Sequence, residues 1–166
     1  MTEPYELDAC AARDAISKSA LSPVELVSSC ISRIERVDPS LNAVVANCFN
    51  RALDEAKKAE RAVGSGVKLG PLHGLPILIK DLQDTKDLRT TYGSLLYKDH
   101  VPEKDESNVS VLREAGAIIL GKSNTPEFGA GAHTVNKVYG ATGNPFDTNR
   151  TCGGSSGGST VALAAN

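Results

Sequence analysis

The stretch RTCGGSSGGST, Arg150 to Thr160, packs four glycines and three serines into eleven residues. Three kinds of chemistry fit such a loop. A flexible Gly/Ser linker would join two domains, but this one runs directly into VALAA, the apolar start of a helix. A phosphate cradle would use the G-x-x-x-x-G spacing from Gly153 to Gly158, yet Ser159 stands where that motif needs lysine. Its amides could still form an anion-binding nest. A nucleophile elbow would use Gly153-Gly154-Ser155-Ser156-Gly157, which satisfies G-x-S-x-G. That arrangement needs Asp and His after the serine. Only eleven residues follow Ser155, none of them Asp or His, so a Ser-His-Asp hydrolase is excluded within this chain.

If Ser155 takes part in acyl transfer, another base must serve it. Lys80 is the candidate. It ends the apolar run LPILIK, where desolvation disfavours an ammonium and frees a lone pair for a serine proton. The competing reading is a lysine that snorkels from a strand end into water. Sequence physics by itself favours the snorkel.

The surrounding elements must bring residues 80 and 155 together. Glu6 to Ser19 has helical apolar spacing at Leu7, Ala11, Ala15 and Ile16. A second helix starts with Ser22 and Glu25 as a capping box, carries Pro23 at its first position, and should end at Asp38-Pro39. A short strand is expected over 43–47 and an exposed, Ala/Glu/Lys-rich helix over 50–63. Strands over 75–79 and 117–120 are apolar at successive positions, which implies burial on both faces. Ser107 should cap a helix that finishes near Gly116, and a short helix should begin at Pro126. VYGATGNPFDTNR reads as an irregular connection. Ser156 onward reads as the entry to a helix that the chain end cuts off. Alternating strands and helices give an α/β class, with a sheet flanked by helices.

Composition narrows the function classes. A net charge of −2 with Lys and Arg scattered among acids excludes a nucleic-acid surface. No apolar run reaches the roughly 20 residues of a membrane span. The acidic N-terminus lacks a signal-peptide core. Cys10, Cys30, Cys48 and Cys152 form no C-x-x-C pair, and His73, His100 and His133 are far apart, so no metal site is expected. Free thiols fit a reducing, cytoplasmic setting.

Five ordered blocks, LHGLPILIKD, TTYGS, LREAGAIILGKSNTPEFG, GATGNPFD and GGSSGGS, together resemble the amidase signature family. The resemblance runs from about Ser22 to the chain end. It implies a partial amidase-signature fold, a mixed β-sheet flanked by helices and truncated before the sheet is complete. One incomplete domain would span 1–166, mainly helical over 1–65, with the sheet core and Gly/Ser loop over 66–166. It also implies hydrolysis of carboxylic amide C–N bonds by a Ser-cisSer-Lys triad, without metal or organic cofactor.

The family lysine maps to Lys80, and the bridging serine, part of a cis peptide, to Ser155, which would also touch substrate. Gly129 falls where a family backbone group approaches the substrate, although a helix C-cap explains it equally well. Asp81 would orient the site or make a surface pair, and Cys152, lacking a His partner, would be inert. Ser159 is no substitute nucleophile, because it sits in the wrong block. The family nucleophile lies further along, in a GGS-type motif past Asn166, so this chain alone is expected to be inactive on its small-molecule amide substrate. Strands 75–79 and 117–120 would lack neighbours and invite self-association through unpaired edges. The reading from another class is a non-catalytic anion- or nucleotide-binding module built on the loop.

Overall fold

The computed structural model describes residues 2–165. After a 3-10 turn at Pro4–Glu6 come α1 (Ala9–Ser17), α2 (Pro23–Leu41), β1 (Val44–Asn47), α3 (Phe49–Val63) and β2 (Pro76–Lys80). Then follow 3-10 turns at Leu95–Tyr97 and Glu127–Gly129, with α4 (Ser107–Glu114) and β3 (Ile118–Ser123) between them. Two short hairpins, β4 (Val135–Asn136) with β5 (Gly140–Ala141) and β6 (Gly143–Asn144) with β7 (Asp147–Thr151), precede α5 (Gly157–Ala164).

The central sheet is mixed, in the order β1-β3-β2. β2 runs parallel to β3, with Lys80 opposite Ser123, and β1 runs antiparallel on the other side. Every residue of β3 is buried. β3 therefore has neighbours on both sides, contrary to the expectation of an unpaired 117–120 strand, and its pairing continues through Lys122 and Ser123. β2 is an edge strand. Its residues are mostly half-buried, so its apolar run covers one face and an edge rather than two buried faces.

Helix ends follow local chemistry. The first helix is shorter than its apolar spacing predicts, because the Asp8 carboxylate accepts from Ala11 N and starts the helix there. The Ser22/Glu25 capping box forms, with Pro23 at the first position. α2 does not stop at Asp38-Pro39. It passes through the proline to Leu41 and ends where Asn42 adopts a left-handed φ of 54°. A proline in the last turn loses only one helical hydrogen bond. Asp38 offsets the disturbance by accepting from Ala43 N and Val44 N at 2.7 and 3.1 Å. Glu106, not Ser107, occupies the N-cap of α4. Its carboxylate instead accepts from Asp84 N, which ties α4 to the turn after β2.

α3 is more buried than its charged composition implies. Ala52, Ala56 and Ala59 form a stripe at i, i+4 and i+7 that packs on Val27 and Ile31 of α2 and on Ile118 and Leu120 of β3. Methyl-sized side chains let the two helices and the sheet approach closely. A second core joins Ile79, Leu88, Val109 and Ile119 and holds α4 against the other side of the sheet.

Candidate functional site

The parallel register sets Lys80 at the carboxyl end of β2, beside Ser123. From there its Nζ lies 2.9 Å from Ser155 Oγ and 2.9 Å from Ser156 Oγ. The amine is half-buried, and that burial lowers its pKa below the ordinary lysine range. Among the described residues Lys80 has no carboxylate within ion-pair distance. The peptide bond between Gly154 and Ser155 is cis.

A buried polar scaffold holds the Gly/Ser loop against the sheet. Thr125 Oγ1 donates to the Ser155 carbonyl at 3.1 Å. Thr134 Oγ1 donates to the Gly153 carbonyl at 2.8 Å and accepts from Gly157 N at 3.0 Å. Gly158 N donates to Asn124 O, and Asn124 N in turn donates to Ala43 O on the approach to β1. Asn136 Nδ2 donates to Asn124 Oδ1 and to the Thr125 carbonyl. The glycines are required by close approach. A Cβ on Gly158 would lie 2.3 Å from Asn124 N, and one on Gly157 would lie 2.1 Å from Thr134 Oγ1.

The other residues singled out in the sequence separate clearly. Asp81 makes no surface pair: it is 0% exposed and accepts from Thr91 N at 3.1 Å and Thr91 Oγ1 at 2.5 Å. Its desolvation raises the carboxyl pKa, while the Thr91 hydrogen bonds oppose that rise. Cys152 packs with Leu41, Ala43 and Val161, and its thiol faces the Gly153 carbonyl. Ser159 bonds Ser123 Oγ at 2.7 Å and takes no part in the lysine contact. Gly129 closes the Glu127–Gly129 turn with φ 70° and backs onto Leu82, where a Cβ would lie 2.7 Å from Cδ1. No group of three or more metal-ligating side chains occurs among the described residues. Nor does any described helix have the length and apolarity to cross a membrane.

Sequence reasoning missed Ser156 as a second lysine contact, and it missed Lys122. Lys122 is 0% exposed within β3 and donates to the Gln83 carbonyl and to Thr85 Oγ1. Burial pulls its pKa down to about 8, against the opposing pull of Asp81 and Asp84. The available signal was IILGKSN, with a lysine two residues past an apolar run, a weaker form of the pattern in LPILIK, where Lys80 follows the run directly.

A family model described as Amidase matches residues 25–166. The chain belongs to the amidase family. Among amidase-signature relatives, it is 41% identical over 165 residues to a glutamyl-tRNA(Gln) amidotransferase subunit of Thermobifida fusca, an alignment covering 99% of this chain and 33% of that protein. Its backbone superposes on the native peptide amidase from Stenotrophomonas maltophilia with TM-score 0.89 and 34% identity, over 98% of this chain and 35% of that one. Fatty acid amide hydrolase superposes with TM-score 0.93 at 25% identity, over 99% and 30% of the two chains. This chain thus has the mixed α/β fold of its family and spans about a third of the length of these relatives.

Proposed function

We propose that this chain supplies the proton-accepting lysine and the bridging serine of a Ser-cisSer-Lys site that hydrolyses carboxylic amides. The observation that carries the reading is the 2.9 Å contact between Lys80 Nζ and Ser155 Oγ, made by an amine whose burial disfavours the charged form. A neutral amine accepts the Ser155 proton while Ser155 takes the proton of a nucleophilic serine. That serine's oxygen bonds the amide carbonyl carbon, and backbone N–H groups hold the oxyanion. As the C–N bond breaks, the proton returns from Lys80 through Ser155 to the leaving amine. Water then adds to the acyl-enzyme and releases the acid. Lys80 and Ser155 are the catalytic residues of this scheme, and Gly129 lines the substrate side.

The nucleophile in this scheme comes from the portion of the relatives that the chain does not span. Purified 166-residue chain should therefore show no amide turnover above background. A chimera in which this chain replaces the aligned third of the Stenotrophomonas maltophilia peptide amidase should hydrolyse a peptide amide. Lys80→Met in that chimera should lower kcat by at least about a hundredfold, as loss of a general base does. Turnover by the chain alone that vanishes in Lys80→Ala would contradict the assignment of the nucleophile. An active chimera indifferent to Lys80→Met would contradict the whole reading.

The anion-binding alternative needs loop amides free to meet a ligand. Gly153 N is engaged by Thr151 Oγ1, Gly157 N by Thr134 Oγ1 and Gly158 N by Asn124 O. Those donors are already used inside the protein, which favours the amidase reading.

A further inference from the structure

Ser156 stands at the N-cap of α5, where a serine hydroxyl ordinarily accepts from the first free amides of the helix. Other caps of this chain do that. Asp8 accepts from Ala11 N, and Ser22 accepts from Val24 N and Glu25 N. Ser94 caps its own short turn in the same way. Ser156 does not. Its backbone, at φ −104° and ψ 33°, is turned away from the usual extended cap geometry, and its side chain makes no cap hydrogen bond. Its carbonyl still accepts from Thr160 N, as the helix requires. Only the hydroxyl has been diverted, and it sits 2.9 Å from Lys80 Nζ.

We propose that Ser156 is a positioning residue that orients the Lys80 amine for proton exchange with Ser155. The inference rests on the reading of Lys80 as a proton acceptor. A neutral amine has one lone pair and two N–H bonds in tetrahedral directions. If one N–H donates to Ser156 Oγ, the rotation of the amine about its Cε bond is set. The lone pair can then face the Ser155 hydroxyl. Once Lys80 is protonated, the same Ser156 oxygen accepts a charge-assisted bond and Ser155 Oγ accepts another. Ser156 thereby also stabilises the ammonium formed in mid-reaction. The groups that face Lys80 are these two hydroxyls, and no carboxylate pairs with it among the described residues.

The test compares the 166-residue chain with Ser156→Ala and Ser156→Thr. Acetylation of Lys80 by acetic anhydride is followed over a pH series by peptide mass spectrometry, with melting temperature measured in parallel. Losing an acceptor that favours the charged form should lower the Lys80 midpoint, so that Ser156→Ala labels about fivefold faster at pH 8. Ser156→Thr keeps the hydroxyl and should return the midpoint toward that of the parent. Melting should move by less than about 1 °C, whereas loss of a working cap would lower it by about 2–4 °C. An unmoved midpoint in Ser156→Ala, or early melting of that variant, would overturn the proposal. If the parent Lys80 titrates like an ordinary surface lysine, the acceptor reading itself fails, which is a separate result from any effect of Ser156.

Discussion

Thr134→Val is the sharpest test of how the Gly/Ser loop is held. The substitution keeps the shape and removes one hydroxyl. That hydroxyl is buried and serves two backbone groups, the Gly153 carbonyl and Gly157 N. The carbonyl retains a second donor, Thr134 N at 2.9 Å, so its loss is small. Gly157 N is left buried without a partner, which costs about 1–3 kcal/mol. For a chain of this length, each kcal/mol lowers the melting temperature by about 2–4 °C, so a fall of about 2–12 °C is expected. Urea unfolding followed by circular dichroism should show the loss in the midpoint with an unchanged slope. Because the loop carries Ser155, a loosened loop should also weaken the Lys80–Ser155 contact. A variant within about 0.5 kcal/mol of the parent would refute the reasoning, because it would mean that the loop is placed by something other than Thr134.

Two further perturbations probe the scaffold. Gly158→Ala should destabilise by about 1–3 kcal/mol or prevent folding, because the new Cβ would meet only backbone: Asn124 N at 2.3 Å, Asn124 O at 2.7 Å and Ala43 O at 2.9 Å. Thermal melting against the parent checks this, and a neutral result would contradict the packing of α5 on the sheet. Lys122 gives a pH signature. Its folded pKa is about 8, below the ordinary lysine value near 10.4, so in that window the unfolded chain binds the extra proton. Stability should therefore rise with pH from about 8 to 10 relative to Lys122→Met. Urea midpoints across that range read the difference, and a flat or falling difference would contradict a buried, charge-penalised lysine.

The parts of the fold legible in the sequence are those governed by local chemistry. The Ser22/Glu25 capping box, Pro23 at the helix start, Pro76 at the head of β2 and the positive φ of Gly116 just past α4 all follow from neighbours within a few residues. The apolar runs marked β2 and β3 for the same reason. The position of each strand in the sheet could not be read, because β3 becomes central only when β1 and β2 pair on either side. The α3 alanine stripe was hidden by its Lys and Glu content, although the spacing of 52, 56 and 59 was available. The hairpins over 135–151 rest on three two-residue strands and on β7, whose residues are all exposed, so they give no periodic signal. In the site, Lys80 and Ser155 stood out because a charge ended an apolar strand and a serine sat among glycines. Thr125, Thr134, Asn124 and Asn136 did not stand out. They are ordinary polar residues whose role exists only through contacts made far along the chain. Lys122 escaped notice because the apolar run stops at Leu120, two residues before it, while the strand itself continues.

The central claim is that the Lys80 amine loses its proton more easily than an ordinary lysine while in contact with Ser155. A 13C NMR titration of the Lys80 ε-carbon in the intact 166-residue chain measures this directly against the ordinary lysine value near 10.4. Lys80 should titrate below that value, and its midpoint should move in Ser155→Ala, where one hydrogen-bond partner is gone. A Lys80 that titrates at the ordinary lysine value, and does not respond to Ser155→Ala, would contradict the account.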